Sequence, residues 1–201
     1  MFAGGKDSQL SHPFCAVFSA DGHLYVSNQD TNEITYYEGP GMKNPGKVKG
    51  VFASGFTTLR GIATDSDYWY VADEGDSSNN IPGAVWFYDT KGNKQPNSLT
   101  VTQPVHLLYD ASQYLYIGSE QDNAVYKYDT KATGSKPASF ITSTKSAPID
   151  HTAGLALSGG TFYVASRKGM AVNQYSIASP AQGTVFVSCL ADNPEFVRAA
   201  S

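Results

Sequence analysis

Four copies of one strand-bearing unit predict an all-β fold of the β-propeller class. The pairs Tyr25-Val26, Tyr70-Val71, Tyr116-Ile117 and Tyr163-Val164 recur at steps of 45, 46 and 47 residues, and a period of about 40 to 50 residues with strand chemistry in each unit marks propeller blades. Around each pair lie short runs rich in β-branched and aromatic residues, bounded by Gly, Asp, Ser or Asn. The 13 Tyr and 10 Phe, with only 16% charged residues, favour strands over helices.

Setting the pairs in register gives each unit three strands. The first has strand a over 14–19, a turn at Asp21-Gly22, strand b over 24–27 and strand c over 34–37. The second has 59–64, 68–72 and 85–88, the third 105–109, 114–118 and 125–128, and the fourth 154–157, 162–165 and 172–175. A fourth strand is expected at 51–54, 140–143 and 185–188, with 99–102 a weaker member. From Tyr to the β-branched residue of strand c the step is nine residues in three units (25 to 34, 116 to 125, 163 to 172) and fifteen in the second (70 to 85). The extra six residues, Gly75-Asp76-Ser77-Ser78-Asn79-Asn80, are a polar loop with no core to join.

The expected blades are 12–54, 57–102, 103–143 and 150–188. Phe2-Ala3-Gly4 matches an outer strand and Pro194 to Ala200 the opening of another blade, so 1–5 and 193–201 read as parts of further blades. The expectation is one partial propeller over 1–201, a segment of an assembly of six or more blades. A net charge of −4 gives no reason to expect nucleic acid as a partner. No run of 18 apolar residues is present to span a membrane. Met1 to Lys6 lack the pattern of a signal peptide, which leaves extracellular and cytoplasmic locations both open. Cys15 and Cys189 are too few to define a disulfide framework and read as small apolar residues within strands.

The run HPFCAVFSADG (12–22) followed by LYVSNQDTNEITYY (24–37), and the second unit with Gly61-Ile62-Ala63-Thr64-Asp65 and Tyr70-Val71-Ala72-Asp73, resemble the NHL-type repeat. The resemblance covers most of the chain and extends to the six-bladed TolB-like group, with its gluconolactonase-like and strictosidine-synthase-like enzymes. It implies a fold rather than an activity, since such members range from protein-binding modules to lyases and lactonases. Gluconolactonase-like enzymes, as the resemblance implies, hold a divalent metal with Glu, two Asn and Asp. Here Ala153 stands where that family has an Asn, and Glu38-Gly39-Pro40 lies after strand c rather than at the family's opening motif. Peptide-amidating lyases of related fold use a His set, but their other motifs are absent.

In a propeller, the start of strand a and the b-to-c loops share one face, where ligands commonly bind. Simple alignment puts Cys15, Arg60, His106 and Ala153 at equivalent positions, with His12, Thr57, Gln103 and Asp150 three residues earlier. His12, His106 and His151 with Asp150 are therefore candidate ligands for a divalent metal, Ca or Zn. Arg60, Asp73, Glu74, His106, Glu120, Asp150 and His151 are candidate ligand-binding residues, with Arg60 suited to an anionic group. Asp30, Glu33, Asp76 and Asp122 add acid to the same face, while Lys43, Lys47, Lys49, Lys91, Lys94, Lys131 and Lys136 lie in the c-to-d connections. No Gly-x-Ser-x-Gly elbow, phosphate loop, zincin motif or Cys-x-x-Cys is present. Two functions follow. The first is a non-enzymatic module binding a protein, peptide or glycan through the loop-bearing face. The second is a metal-dependent lactonase, lyase or esterase at the channel mouth.

Overall fold

A computed structural model describes residues 9–65, 67–132, 134–188 and 194–197. Residues 2–4, Cys189 and 198–200, to which the sequence assigns strand or blade-opening roles, lie outside these. The chain divides into two compact units, 1–98 and 99–201. Among the described residues every strand belongs to one of four four-stranded antiparallel sheets, each in simple sequence order.

In the first unit, one sheet runs β1 (Pro13–Phe18), β2 (Leu24–Asn28), β3 (Glu33–Tyr37) and β4 (Val48–Ser54). The next runs β5 (Leu59–Thr64), β6 (Tyr68–Asp73), β7 (Ala84–Asp89) and β8 (Lys94–Thr100), its last two residues passing the division between units. The second unit holds β9 (Pro104–Tyr109), β10 (Tyr114–Ser119), β11 (Ala124–Asp129) and β12 (Ala138–Thr142), then β13 (Thr152–Ser158), β14 (Thr161–Ser166), β15 (Ala171–Ser176) and β16 (Ser179–Val187).

The Tyr-Val repeat lies on the central strand b, and its aromatic partners explain the repeat. In the first unit Tyr25 stacks on Tyr36, meets Phe52 edge-on at 5.0 Å and reaches Trp69 of the next sheet at 4.2 Å. In the second unit Tyr116 meets Phe140 at 5.1 Å and Phe162 of the next sheet at 4.9 Å. Each unit thus has its own core, with Ile34, Leu59, Ile62, Trp69 and Val71 in one and Val125, Ile141, Leu155, Phe162 and Val164 in the other. Aromatic pairs at these separations add about 0.5–1.5 kcal/mol each beyond their buried area.

The turns have a local cause. Asp65 accepts from the amides of Asp67 and Tyr68 and from the Tyr70 hydroxyl, Asp110 from the amides of Ser112, Gln113 and Tyr114, and Asp89 from those of Lys91 and Asn93. These are Asx-type turns, in which a short carboxylate replaces a backbone acceptor.

The outer strands depart from the sequence reading. The fourth strand of the second sheet is Lys94–Thr100 rather than 99–102, and that of the fourth sheet is Ser179–Val187 rather than 185–188. Both are polar and largely exposed over the added residues, so backbone pairing rather than an apolar pattern defines them.

Candidate functional site

The candidate residues lie where the end of strand b meets the start of strand a of the same sheet, and a repeated set of hydrogen bonds builds that junction. Asn28, Asp73, Ser119 and Ser166 end strand b in the four sheets, and all four are buried. Each turns its side chain to the segment entering strand a of its own sheet. Asn28 accepts from the Ser11 amide, Asp73 from the amides of Thr57 and Thr58 at 3.1 and 2.8 Å, and Ser166 from the Asp150 amide at 2.8 Å. Ser119 donates to the Thr102 carbonyl. Asp73 also accepts from Gly75, so its carboxylate is fully engaged in holding backbone. Its charge and, more strongly, burial push the Tyr88 phenol up to about 12.

The following residues, Gln29, Glu74, Glu120 and Arg167, donate their amides to the carbonyls of His12, Thr58, Gln103 and His151. These bonds set the equivalences. His151 matches His12, where simple spacing would align Asp150. Three of the four residues, His12, Gln103 and His151, have positive φ of 51°, 41° and 59°, a conformation uncommon for non-glycine residues.

Directly after them, each strand a has an irregularity against strand b, between Pro13 and Cys15, Leu59 and Ile62, Pro104 and His106, and Thr152 and Leu155. This β-bulge inserts one residue and re-aims the side chains near it. The strand pairing also corrects the spacing alignment. Cys15 pairs with Ser27 and His106 with Gly118, whereas Arg60 and Ala153 fall at the bulge, one position earlier.

The junctions bring several candidates together. In the first unit Arg60 Nε donates to Glu74 Oε2 at 2.5 Å, and its guanidinium lies 5.7 Å from the Phe14 ring centroid. His12 Nδ1 is 3.3 Å from Asp30, both exposed. In the second unit His151 is bracketed by carboxylates, with Asp150 Oδ1 2.7 Å from Nδ1 and Glu120 Oε1 3.8 Å from Nε2. Glu120 is also bound by Arg167 Nη2. His106 does not join this group. Its Nδ1 accepts from the Leu155 amide at 3.1 Å, and its ring is 6.5 Å from Phe196. Residues 195–197 press against Gly154, where an added Cβ would fall 2.5 Å from the Val197 nitrogen. Gly154 permits an approach that no side chain would.

No group of three or more His, Cys, Asp or Glu is gathered for a metal ion among the described residues. The two ring nitrogens of His151 address different carboxylates, and His106 Nδ1 is engaged by backbone.

Two features escape the sequence reading. Asn32 donates to the Thr57 carbonyl and accepts from the Leu59 amide, tying the first sheet to the second, and Asn123 accepts from the His151 amide, tying the third to the fourth. Both have φ of 52°. Arg167 is the other, although it stands four residues after its unit's Tyr, as Glu74 and Glu120 do.

The six-residue insertion is built, not slack. Asp76 accepts from the Ser78 amide and hydroxyl and from the Asn79 amide and side chain. These side-chain bonds, then the amides, hold its carboxyl below the usual aspartate range. Asp76 and Ile81 exchange both backbone bonds at 2.8 Å, closing the loop around the short 3₁₀ turn Ser77–Asn79, with Asn80 in the left-handed region. Gly75 sits at φ 78°, and a Cβ there would meet the Ile81 carbonyl at 2.4 Å. Residues 77–82 are exposed, and Ile81 is a large apolar side chain among them.

No protein-family model and no curated protein sequence matches the chain. Solved structures do. A nidogen/laminin complex matches with a TM-score of 0.75 at 12% identity over 96% of this chain and 70% of that one. Hydrazine synthase from Kuenenia stuttgartiensis matches at 0.66 and 17% over 92% of this chain, and a functionally unknown protein from Desulfotomaculum acetoxidans DSM 771 at 0.64 and 14% over 92%. This chain spans 52% and 59% of those two structures. Identities this low speak to fold alone. Four successive four-stranded antiparallel sheets, with these likenesses, make the chain a β-propeller fold.

Proposed function

We propose that this β-propeller is a protein-interaction module whose recognition element is the loop 74–83 on its loop-bearing face. The observation that carries this reading is the loop's construction. Asp76 and the two backbone bonds to Ile81 fix the backbone, while Ile81 and Pro82 stand exposed at its end. A loop ordered before binding loses less conformational entropy on docking, and an exposed apolar residue among uncharged polar ones supplies the contact. The likeness to a nidogen/laminin complex lends support at the level of fold. The paired charge beside the loop, Arg60 with Glu74, suits a polar rim.

A photo-crosslinking amino acid at position 81 tests this reading in extract of the source cells, with one at Lys91 in the opposite c-to-d turn as control. Discrete protein adducts at 81 and none at 91 support it. Identical adducts at both positions, or none at 81, defeat it.

A second reading, hydrolytic or lyase chemistry, draws on His151 between Asp150 and Glu120. Turnover of lactones or esters, with and without added Ca²⁺ or Zn²⁺, that vanishes in His151→Gln would favour it over a pure binding role.

A further inference from the structure

We propose that β16 is a self-association edge, through which two copies of this chain pair antiparallel about a two-fold axis. β16 ends its sheet, so among the described residues one side of its backbone has no strand partner. At nine residues, Ser179–Val187, it is longer than the other outer strands described here.

An exposed strand edge invites pairing with another chain, and proteins blunt such edges with lysine, proline, short length or bulges. The other outer strands carry these devices. β4 contains Lys49, β8 contains Lys94 and Pro96, and β12 is five residues long and preceded by Lys136-Pro137. β16 has a proline only at its second position. Between Lys168 and Asp192 the sequence has no charged residue at all. Both β4 and β16 have two shifts in their ladders, so bulging does not distinguish them. Charge does.

The same contrast names the occupant. In a two-fold antiparallel pair each strand meets its own copy, so any charge on the edge is brought toward its equal. Lysine on β4 or β8 would repel itself, whereas β16 brings together only neutral residues. Val185, Phe186 and Val187 are 39%, 56% and 40% exposed, and the Phe186 ring stays 5.2 Å from Tyr163, anchoring the strand to its own sheet. Pairing is regular from Gly183 to Val185, which keeps that stretch straight for a partner. Two copies so joined would present two recognition loops, and simultaneous engagement strengthens binding without a new contact.

The test is mass by light scattering across a wide concentration range, with hydrogen exchange over 181–187. The expected species is about 43 kDa, twice the 21.5 kDa chain, with amides of β16 protected as concentration rises. The double variant V185K/V187K should run as a monomer with unchanged strand signal in circular dichroism. V51K, on the outer strand of the first sheet, should remain a dimer. A wild-type chain that stays monomeric, a dimer that survives V185K/V187K, or open-ended aggregates in place of a discrete dimer would each overturn the proposal.

Discussion

His106 accepts the backbone N–H of Leu155 through Nδ1 at 3.1 Å, so an imidazole from the third sheet satisfies the inner strand of the fourth. That bond needs the lone pair at Nδ1 and therefore places the ring proton at Nε2. Leu155 is buried, and removing the acceptor leaves its amide without this partner. His106→Ala should therefore lower stability by about 1–3 kcal/mol, measured by denaturant unfolding. Unchanged stability would show that His106 has no structural part.

Asn32 makes a comparable tie in the first unit, with its side chain bonded to both the Thr57 carbonyl and the Leu59 amide. Leu59 is fully buried. Asn32→Ala should cost about 1–3 kcal/mol, and Asn32→Gly should cost less, because the lost bonds are the same but the positive φ suits glycine and strains alanine. Chemical denaturation of the two variants checks the order.

Sequence made the inner three strands of every sheet readable, because strands a, b and c, apart from the half-exposed β1, are largely buried and need β-branched and aromatic side chains. The outer strands were readable where an aromatic ring marks them, as at Phe52, Phe140 and Phe186. Lys94 to Ser98 pairs by backbone while facing water, and nothing in those side chains announces a strand. The candidate site was readable as a region but not as a geometry. Arg60 and Ala153 fall one pairing position off His106 because the a-to-b turn is one residue shorter in their sheets, Thr64 pairing with Trp69 and Leu157 with Phe162 where Phe18 pairs with Leu24 and Tyr109 with Leu115. The tie made by Asn32 and Asn123 had a signal, an Asn directly before strand c in two units, and so did Arg167, at the offset of Glu74 and Glu120.

The pH dependence of the recognition loop follows from Asp76. Hydrogen bonds hold its carboxyl below the ordinary aspartate value, which is about 3.9. A depressed group contributes order that is fully present above the unfolded value and is lost as pH falls through the folded one. The amide resonances of Ser78 and Asn79 should thus be constant from neutral pH to about 5 and should move only below about 4. In Asp76→Ala the loop should exchange its amides rapidly at every pH.

The pair of Arg167 with Glu120 is partly exposed, and exposed pairs contribute little, about 0–1 kcal/mol. Arg167→Ala should leave the midpoint of thermal unfolding nearly unchanged, and a marked fall would show that the pair holds the fold.

Excising residues 75–80 tests the account most directly, since it brings the second b-to-c loop to the length of the other three. Binding of the partner captured at position 81 would be compared between the intact and shortened chains, alongside their thermal unfolding. The account predicts binding reduced at least tenfold with little change in unfolding temperature. Binding that persists at full strength in a folded, shortened chain would contradict it.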